Sequence, residues 1–344
     1  PELAVIATPP ATVPGLIAAL GERGTRAAIV LTAGLDATQK QAMLDAARPH
    51  LLRILGPNNL GLLSPHAKLN ASFAHANVEP GGLAFVSQSG ALVTAMLDWA
   101  RGRGIGFSHF VSLGEHADVD FGDMLDWLAS DARTRSILLY IESVEAPRKF
   151  MSAARAAARN KPVLVVKAGR SPQGQAAAAS HTGALAGSDL VYDAAIRRAG
   201  MLRVDTLDDL FVAAETLAHL RAPPRGTDLT ALERLTIVTN GGGAGVMAAD
   251  AAALAGVSLA PLPEATRSAL DAALPANWSH GNPVDIIGDA PVERYEHTLR
   301  TLLAEPATGS LLFIHAPTAI VPSAEIAQAL LPLAHEAQGR LLSC

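Results

Sequence analysis

The feature that most constrains this chain is a repeated alternation of short aliphatic runs with longer segments of helical pattern. Leu3-Ala4-Val5-Ile6-Ala7 precedes a helical stretch from Val13 to Gly24, Ala27-Ala28-Ile29-Val30-Leu31 precedes one from Thr38 to Arg48, and Arg53-Ile54-Leu55 follows. Such alternation predicts a parallel sheet with right-handed crossovers. Hydrophobic residues make up 49% of the 344 residues and aromatics only 4%, which suits alanine-rich helices packed closely on strands of Val, Ile and Leu. A chain of this length exceeds one core and predicts two or three domains.

Gly56-Pro57-Asn58-Asn59-Leu60-Gly61 reads as a turn closing the first unit, and the segment to Gly82 reads as an irregular, polar crossing between domains. A second unit runs from Leu83-Ala84-Phe85-Val86 through a helix from Ala91 to Arg101, a strand from Phe107 to Leu113 and a helix from Phe121 to Ser130. It continues with a strand from Ser136 to Ile141, a helix from Ala146 to Asn160, the strand Val163-Leu164-Val165-Val166, a loop from Gly169 to Ser188, and helices from Asp189 to Ala199 and near Leu207 to Leu220. Ala222-Pro223-Pro224-Arg225-Gly226 reads as a linker. Beyond it lie the strand Leu235 to Thr239, the turn Asn240 to Gly245, a helix from Val246 to Ala255, and strands within Asn282–Ile287 and Ser310–Ile314. The abrupt first strand, and an end just after a last helix, predict a fragment cut at both sides.

Several classes of function are disfavoured. Net charge is −5 with scattered Lys and Arg, which does not support nucleic-acid binding. The single cysteine, Cys344, excludes a disulfide framework or a cysteine-type zinc site within the chain. No apolar run reaches the ~18 residues of a membrane span and no signal peptide is visible, so a soluble, cytoplasmic protein with no membrane partner is expected. His109, Glu115, His116, Asp118 and Asp120 come nearest to a metal cluster; capping and solvated acids before a helix explain the same residues, and no metal is assigned.

Ala179-Ser180-His181-Thr182-Gly183-Ala184-Leu185-Ala186-Gly187 places one histidine among small residues. A neutral imidazole can act as base, ligand or nucleophile; a histidine in a surface loop is the plain alternative. Two strand-to-helix turns, Ser87-Gln88-Ser89-Gly90 and Asn240-Gly241-Gly242-Gly243, can each present N–H groups and a helix dipole to an anion. Each helix end is worth roughly +0.5 charge, so two offset about half of a phosphoryl group's charge of about −1.5 to −2. Hydrogen bonds from Ser89, Thr182 and backbone N–H groups could supply the rest, at roughly 1.5–3 kcal/mol each. Either turn alone could equally be an ordinary strand–helix corner. Ser89 also narrowly misses a nucleophile elbow, because Ser87 and Ala91 flank it where the motif needs glycines. Ligands in such sheets collect at the carboxyl ends of strands, so Ser87–Gly90, Gly114–Glu115, Glu142–Ser143 and the His181 loop are expected on one edge.

Taken together, Ser180-His181-Thr182-Gly183-Ala184-Leu185-Ala186-Gly187, Val86-Ser87-Gln88-Ser89-Gly90-Ala91-Leu92, Tyr140-Ile141-Glu142-Ser143, Gly56-Pro57-Asn58, Thr239-Asn240-Gly241-Gly242 and Asn282-Pro283-Val284-Asp285 resemble the NDP-forming acyl-CoA synthetases, relatives of the succinyl-CoA synthetase alpha subunit. The resemblance covers essentially the whole chain, with the motifs in the family's order. It implies an α/β architecture: a partial Rossmann-like CoA-binding domain over residues 1–78, a flavodoxin-like ligase domain over 79–221 and a second flavodoxin-like domain over 232–344.

It also implies an exchange of acyl-CoA, phosphate and ADP for carboxylic acid, CoA and ATP, by way of an acyl phosphate and a phosphohistidine. His181 matches the phosphorylated histidine. Glu142 matches the acid that orients the ring, as a triad's acid holds its histidine in one tautomer. Phosphate contacts are implied at Ser87, Gln88, Ser89, Gly90, Thr182, Gly183, Gly241, Gly242 and Gly243, and CoA contacts at Pro9, Gly56, Pro57 and Asn58. The implied cofactors are coenzyme A, and ATP or ADP with Mg on an ATP-grasp domain or subunit outside this chain, within a homo- or hetero-oligomer. The family's Gly-rich CoA-binding turn has no counterpart here. Some relatives fused to a lysine acetyltransferase domain lose the histidine and act as acyl-CoA sensors; retention of His181 favours the enzyme, with an acyl-CoA-binding regulatory module as the alternative.

Overall fold

The aliphatic runs become strands that bury most of their side chains, completely so in the central strands such as Phe107–Ser112 and Val163–Lys167, and the helical patterns become the helices that cover them. The computed structural model describes residues 1–182, 187–219, 229–337 and 340–343, and leaves the side chains of residues 179–182, 229, 231 and 341–343 outside the description. The chain divides into two units, Pro1–His219 and Leu220–Cys344.

In the first unit, β1 (Leu3–Ile6), β2 (Ala27–Val30) and β3 (Arg53–Leu55) form a parallel sheet in that order. The helices α1 (Val13–Glu22) and α2 (Ala37–Ala47) cover one face, packing Val13, Ile17, Met43 and Ala47 on Ile6, Ala28, Val30 and Ile54. A capping box at Asp36 and Gln39 starts α2.

Residues 61–72 depart from the irregular crossing expected of them. β4 (Gly61–Ser64) and β5 (Leu69–Ser72) are an antiparallel hairpin, turned by a 3-10 segment at Pro65–Ala67 with Lys68 left-handed. β4 joins the strand Phe107–Ser112 of the next sheet, also antiparallel. The strands are too short, and Asn70 and Ser72 too polar, for periodicity to register.

The larger sheet continues with β6 (Pro80–Ser87), β7 (Phe107–Ser112), β8 (Ser136–Ile141), β9 (Val163–Lys167) and β10 (Leu202–Val204), in the order β10-β9-β8-β6-β7-β4-β5. Between them run α3 (Gly90–Arg101), α4 (Phe121–Ser130), α5 (Pro147–Asn160), α6 (Pro172–Thr182), α7 (Asp189–Ala199) and α8 (Leu207–His219). Alternate residues point to opposite faces. Val86, Leu139 and Val165 meet α4, α5 and α7, while Phe85, Leu138 and Leu164 meet α3 and α8. The five parallel strands follow the flavodoxin-like order, so the chain reverses its direction of winding between β6 and β8. A ligand crevice belongs at that point, beyond the strands' carboxyl ends.

A helix, α6, occupies much of the Gly169–Ser188 stretch expected as a loop, carrying the backbone of His181 in its last turn. Proline at its first position and the run Ala176–Ala179 favour that conformation. β10, which follows α7 directly, was also not foreseen.

In the second unit, α9 (Leu229–Leu232) leads into β11 (Arg234–Thr239), α10 (Gly242–Leu254) and β12 (Ser258–Leu259). There follow α11 (Glu264–Ala273), β13 (Val284–Asp285), α12 (Val292–Ala304), β14 (Ser310–Ile314), α13 (Ser323–Glu336) and β15 (Leu341–Ser343). All pairings are parallel, with β12 and β13 sharing one edge of β11 while β14 and then β15 lie on the other. Two expectations change. The turn's glycines Gly242 and Gly243 are already inside α10, and a strand, β15, follows the last helix. The linker at 222–226 and Cys344 lie outside the described residues.

Phe110 is fully buried, its ring 4.6 Å from Phe107 and 5.3 Å from Phe85. Phe110→Ala is expected to destabilise the first unit by about 3–5 kcal/mol through lost transfer energy and a residual cavity. Chemical denaturation followed by circular dichroism measures the shift.

Candidate functional site

The sheet's winding brings the ends of β6, β7 and β8 together, and one side chain ties them. Gln88 Oε1 accepts from the backbone N–H groups of Glu142 at 2.5 Å and Ser143 at 3.0 Å. Its Nε2 faces Nε2 of His116 at 2.7 Å and donates to Ser143 Oγ at 3.2 Å. The whole amide is buried and engaged. Gln88 therefore holds the loops, and its side chain has no group left over for a ligand.

The adjoining turn is shaped by Ser87, whose Oγ accepts from Ser89 N–H at 3.0 Å and donates to Ser89 O at 2.9 Å. Ser89 caps α3 by accepting from Leu92 N–H. Val93 N–H bonds Ser89 O, so capping leaves the first N–H groups, those of Gly90 and Ala91. Both residues line a cavity of about 560 Å³ together with Asn58, Glu115, His116 and Glu142.

Gly114 brings the β7 loop against the Gly56–Asn58 turn. It has φ +58°, and a Cβ there would stand 2.2 Å from Asn58 O and 2.4 Å from Pro57 O, so only glycine fits. Glu115 N–H and Ala117 N–H then bond Pro57 O and Gly56 O. Asn58 Nδ2 donates to Glu115 Oε1 at 3.2 Å, and Lys40 pairs with the same carboxylate. Thus Asn58 faces the cavity, Gly56 and Pro57 shape its wall, and Pro9, exposed at the start of a 3-10 turn, is not among the lining residues.

Glu142 is buried at the end of β8. It accepts from the Tyr140 hydroxyl. Burial first, then the Glu142 charge and that hydrogen bond, push the phenol up to about 12. At the neighbouring strand end, Lys167 is buried with its ammonium 4.4 Å from the Tyr192 ring centroid. Burial lowers its pKa, and the carboxylates of Asp189 and Glu142 oppose that fall. Tyr192 in turn accepts from Val144 N–H. Sequence reading missed Lys167, Tyr192 and Lys40; a lysine closing the apolar run Val163–Val166 was the available signal.

Ser87–Gly90, Gly114–Glu115 and Glu142–Ser143 do share one edge, as expected. The side chains of His181 and Thr182, and the whole of Gly183, lie outside the described residues. In the second unit Thr239 Oγ1 accepts from Gly241 N–H at 3.0 Å, repeating the Ser87 turn, and α10 starts at Gly242. A Cβ on Gly242 would lie 2.7 Å from Asp285 Oδ2, so a carboxylate already stands beside this helix end, while Gly243 is open. The five residues nearest to a metal cluster disperse. His109 bonds Asp131, Glu115 pairs with Lys40, His116 meets Gln88, Asp118 pairs with Arg53 and Asp120 caps α4. Among the described residues no group of three or more His, Cys, Asp or Glu could hold a metal ion, and no helix is long and apolar enough to cross a membrane.

Fold and site define a flavodoxin-like ligand-binding protein with anion-ready turns at its strand ends. The comparisons identify the family. Residues 1–65 match the CoA binding domain family, residues 80–217 the succinyl-CoA ligase like flavodoxin domain and residues 235–342 the ligase-CoA domain. The alpha subunit of acetate–CoA ligase [ADP-forming] I from Pyrococcus furiosus is 39% identical over 95% of this chain and 70% of that one. Acetate–CoA ligase [ADP-forming] I from Archaeoglobus fulgidus is 40% identical over 92% of this chain but 46% of its own length. The structure of the Ca. Korarchaeum cryptofilum dinucleotide forming acetyl-coenzyme A synthetase 1, in complex with phosphate and ADP, superposes with a TM-score of 0.93 at 34% identity, over 99% of this chain and 74% of that one. The chain belongs to the ADP-forming acyl-CoA ligases.

Replacing Glu142 by Gln removes the charge beside Tyr140 and leaves its burial. The Tyr140 pKa is expected to fall from about 12 while staying above the ordinary 10.0. The difference between wild-type and variant tyrosinate absorbance titrations measures it.

Proposed function

We propose that this chain carries the acyl-transfer and phosphohistidine chemistry of an ADP-forming acyl-CoA ligase. Acyl-CoA and phosphate give an acyl phosphate and free CoA, His181 accepts the phosphoryl group with release of the carboxylic acid, and ADP takes it to form ATP. The observation that carries the reading is the meeting of the α3 helix end with Glu142 on one cavity at the sheet's reversal point. An oxyanion there gains the Gly90 and Ala91 N–H groups and the helix dipole. Glu142 would hold the His181 ring so that one nitrogen is free to attack. Asn58 and Lys40 on the cavity wall support a role in CoA binding, with Gly56 and Pro57 shaping the turn. Ser87 and Ser89 shape the phosphate turn. Roles for Pro9, Thr182 and Gly183, and for the second unit's turn Gly241–Gly243, belong to the same proposal.

Nucleotide, with its Mg, would bind on an ATP-grasp domain or partner subunit. The names of the relatives make acetate the first acid to try.

The complete protein, with its nucleotide-binding part, is expected to form an acid-labile phosphoenzyme from acetyl-CoA and labelled phosphate, and His181→Ala to reduce the label to background. Undiminished label in that variant overturns the assignment. Thioester binding by a wild-type protein that never takes label would point instead to a regulatory acyl-CoA-binding module.

A further inference from the structure

We propose that His116 is a positioning residue for the Glu142 loop, acting through the Gln88 carboxamide. The inference rests on the role given above to Glu142. Gln88 Oε1 accepts two backbone N–H groups, from Glu142 and Ser143, and this fixes which end of the amide is oxygen. Its Nε2 is therefore the donor facing His116 Nε2 at 2.7 Å, and the ring nitrogen must accept. The imidazole proton then sits on Nδ1, which is buried without a hydrogen-bond partner among the described residues.

Two features separate this histidine from a packing residue. It has φ +37°, a left-handed backbone that side chains other than glycine seldom adopt, and it leaves a polar atom unsatisfied, yet it makes the shortest contact to the amide nitrogen. Without an acceptor at that place, Gln88 Nε2 keeps only the 3.2 Å bond to Ser143. A buried donor would be left unpaired, and turning the amide to relieve it would release Glu142 N–H. Position of the Glu142 carboxylate thus depends on a residue one strand further away.

The test compares His116→Met, which has no acceptor of the needed kind, with His116→Gln, whose Oε1 can take the place of the ring nitrogen. Both meet the same backbone constraint, so their Tm values are expected to differ by no more than the few degrees that one unpaired buried donor costs. In the complete protein, His116→Met should slow phosphoenzyme formation about tenfold or more with KM for acetyl-CoA nearly unchanged, and His116→Gln should restore most of the rate. Independently of turnover, Tyr140 should titrate lower in the Met variant than in wild type and the Gln variant, because its carboxylate neighbour has moved. Equal rates and equal Tyr140 titrations in the two variants, or a loss that appears in KM, would overturn the proposal. Absence of phosphoenzyme in the wild type would instead sink the functional reading, with the Tyr140 titration still deciding whether His116 positions Glu142.

Discussion

The Gln88 carboxamide is the contact on which the candidate site depends. Parallel strands end in loops whose backbone N–H groups have no ladder partner, and a buried N–H without a partner is costly. Gln88 answers that need for the β8 loop from β6, and reaches the β7 loop through His116. One side chain thereby converts three separate strand ends into a single rigid edge. Glutamine fits because its amide offers acceptor and donor ends together at the length of this gap.

The second unit solves a related problem with the same means. Asn240 exchanges two 2.8 Å hydrogen bonds with the Ala316 backbone, tying the end of β11 to the chain beyond β14. Thr239 turns its backbone as Ser87 does. Both turns end in a helix, so each unit carries a helix end with free N–H groups at its strand edge. Carboxylates stand near both ends: Asp285 beside the start of α10, and Glu115 and Glu142 in the lining of the cavity at the start of α3.

Charge at the first unit's edge is arranged around buried groups. Glu142 is held by Tyr140 and by the loop's backbone, and Lys167 lies one strand away against Tyr192. Arg203, nearly buried, takes Asp189 at 2.6 Å, so the cation nearest Asp189 is not Lys167. Among the described residues no carboxylate forms an ion pair with Lys167, so its ammonium loses hydration with partial return, and burial leads the fall in its pKa.

By itself the sequence determined the layered α/β architecture, because strands buried on both faces must be aliphatic and their covering helices periodic. Phe121–Ser130, Ser136–Ile141 and Asp189–Ala199 are read from the pattern to the residue. It also marked Ser87–Gly90 and Glu142, since turn residues at strand ends are visible as punctuation. The hairpin Gly61–Ser72, the helical run before His181 and strand β15 were hidden, being short, small-residued or dependent on partners distant in sequence. Only the tertiary structure decided what Gln88 does. A glutamine in a turn can bind a ligand or brace a loop, and the choice lay with His116, Glu142 and Ser143, residues 28, 54 and 55 positions away that the winding of the sheet brings within hydrogen-bonding reach.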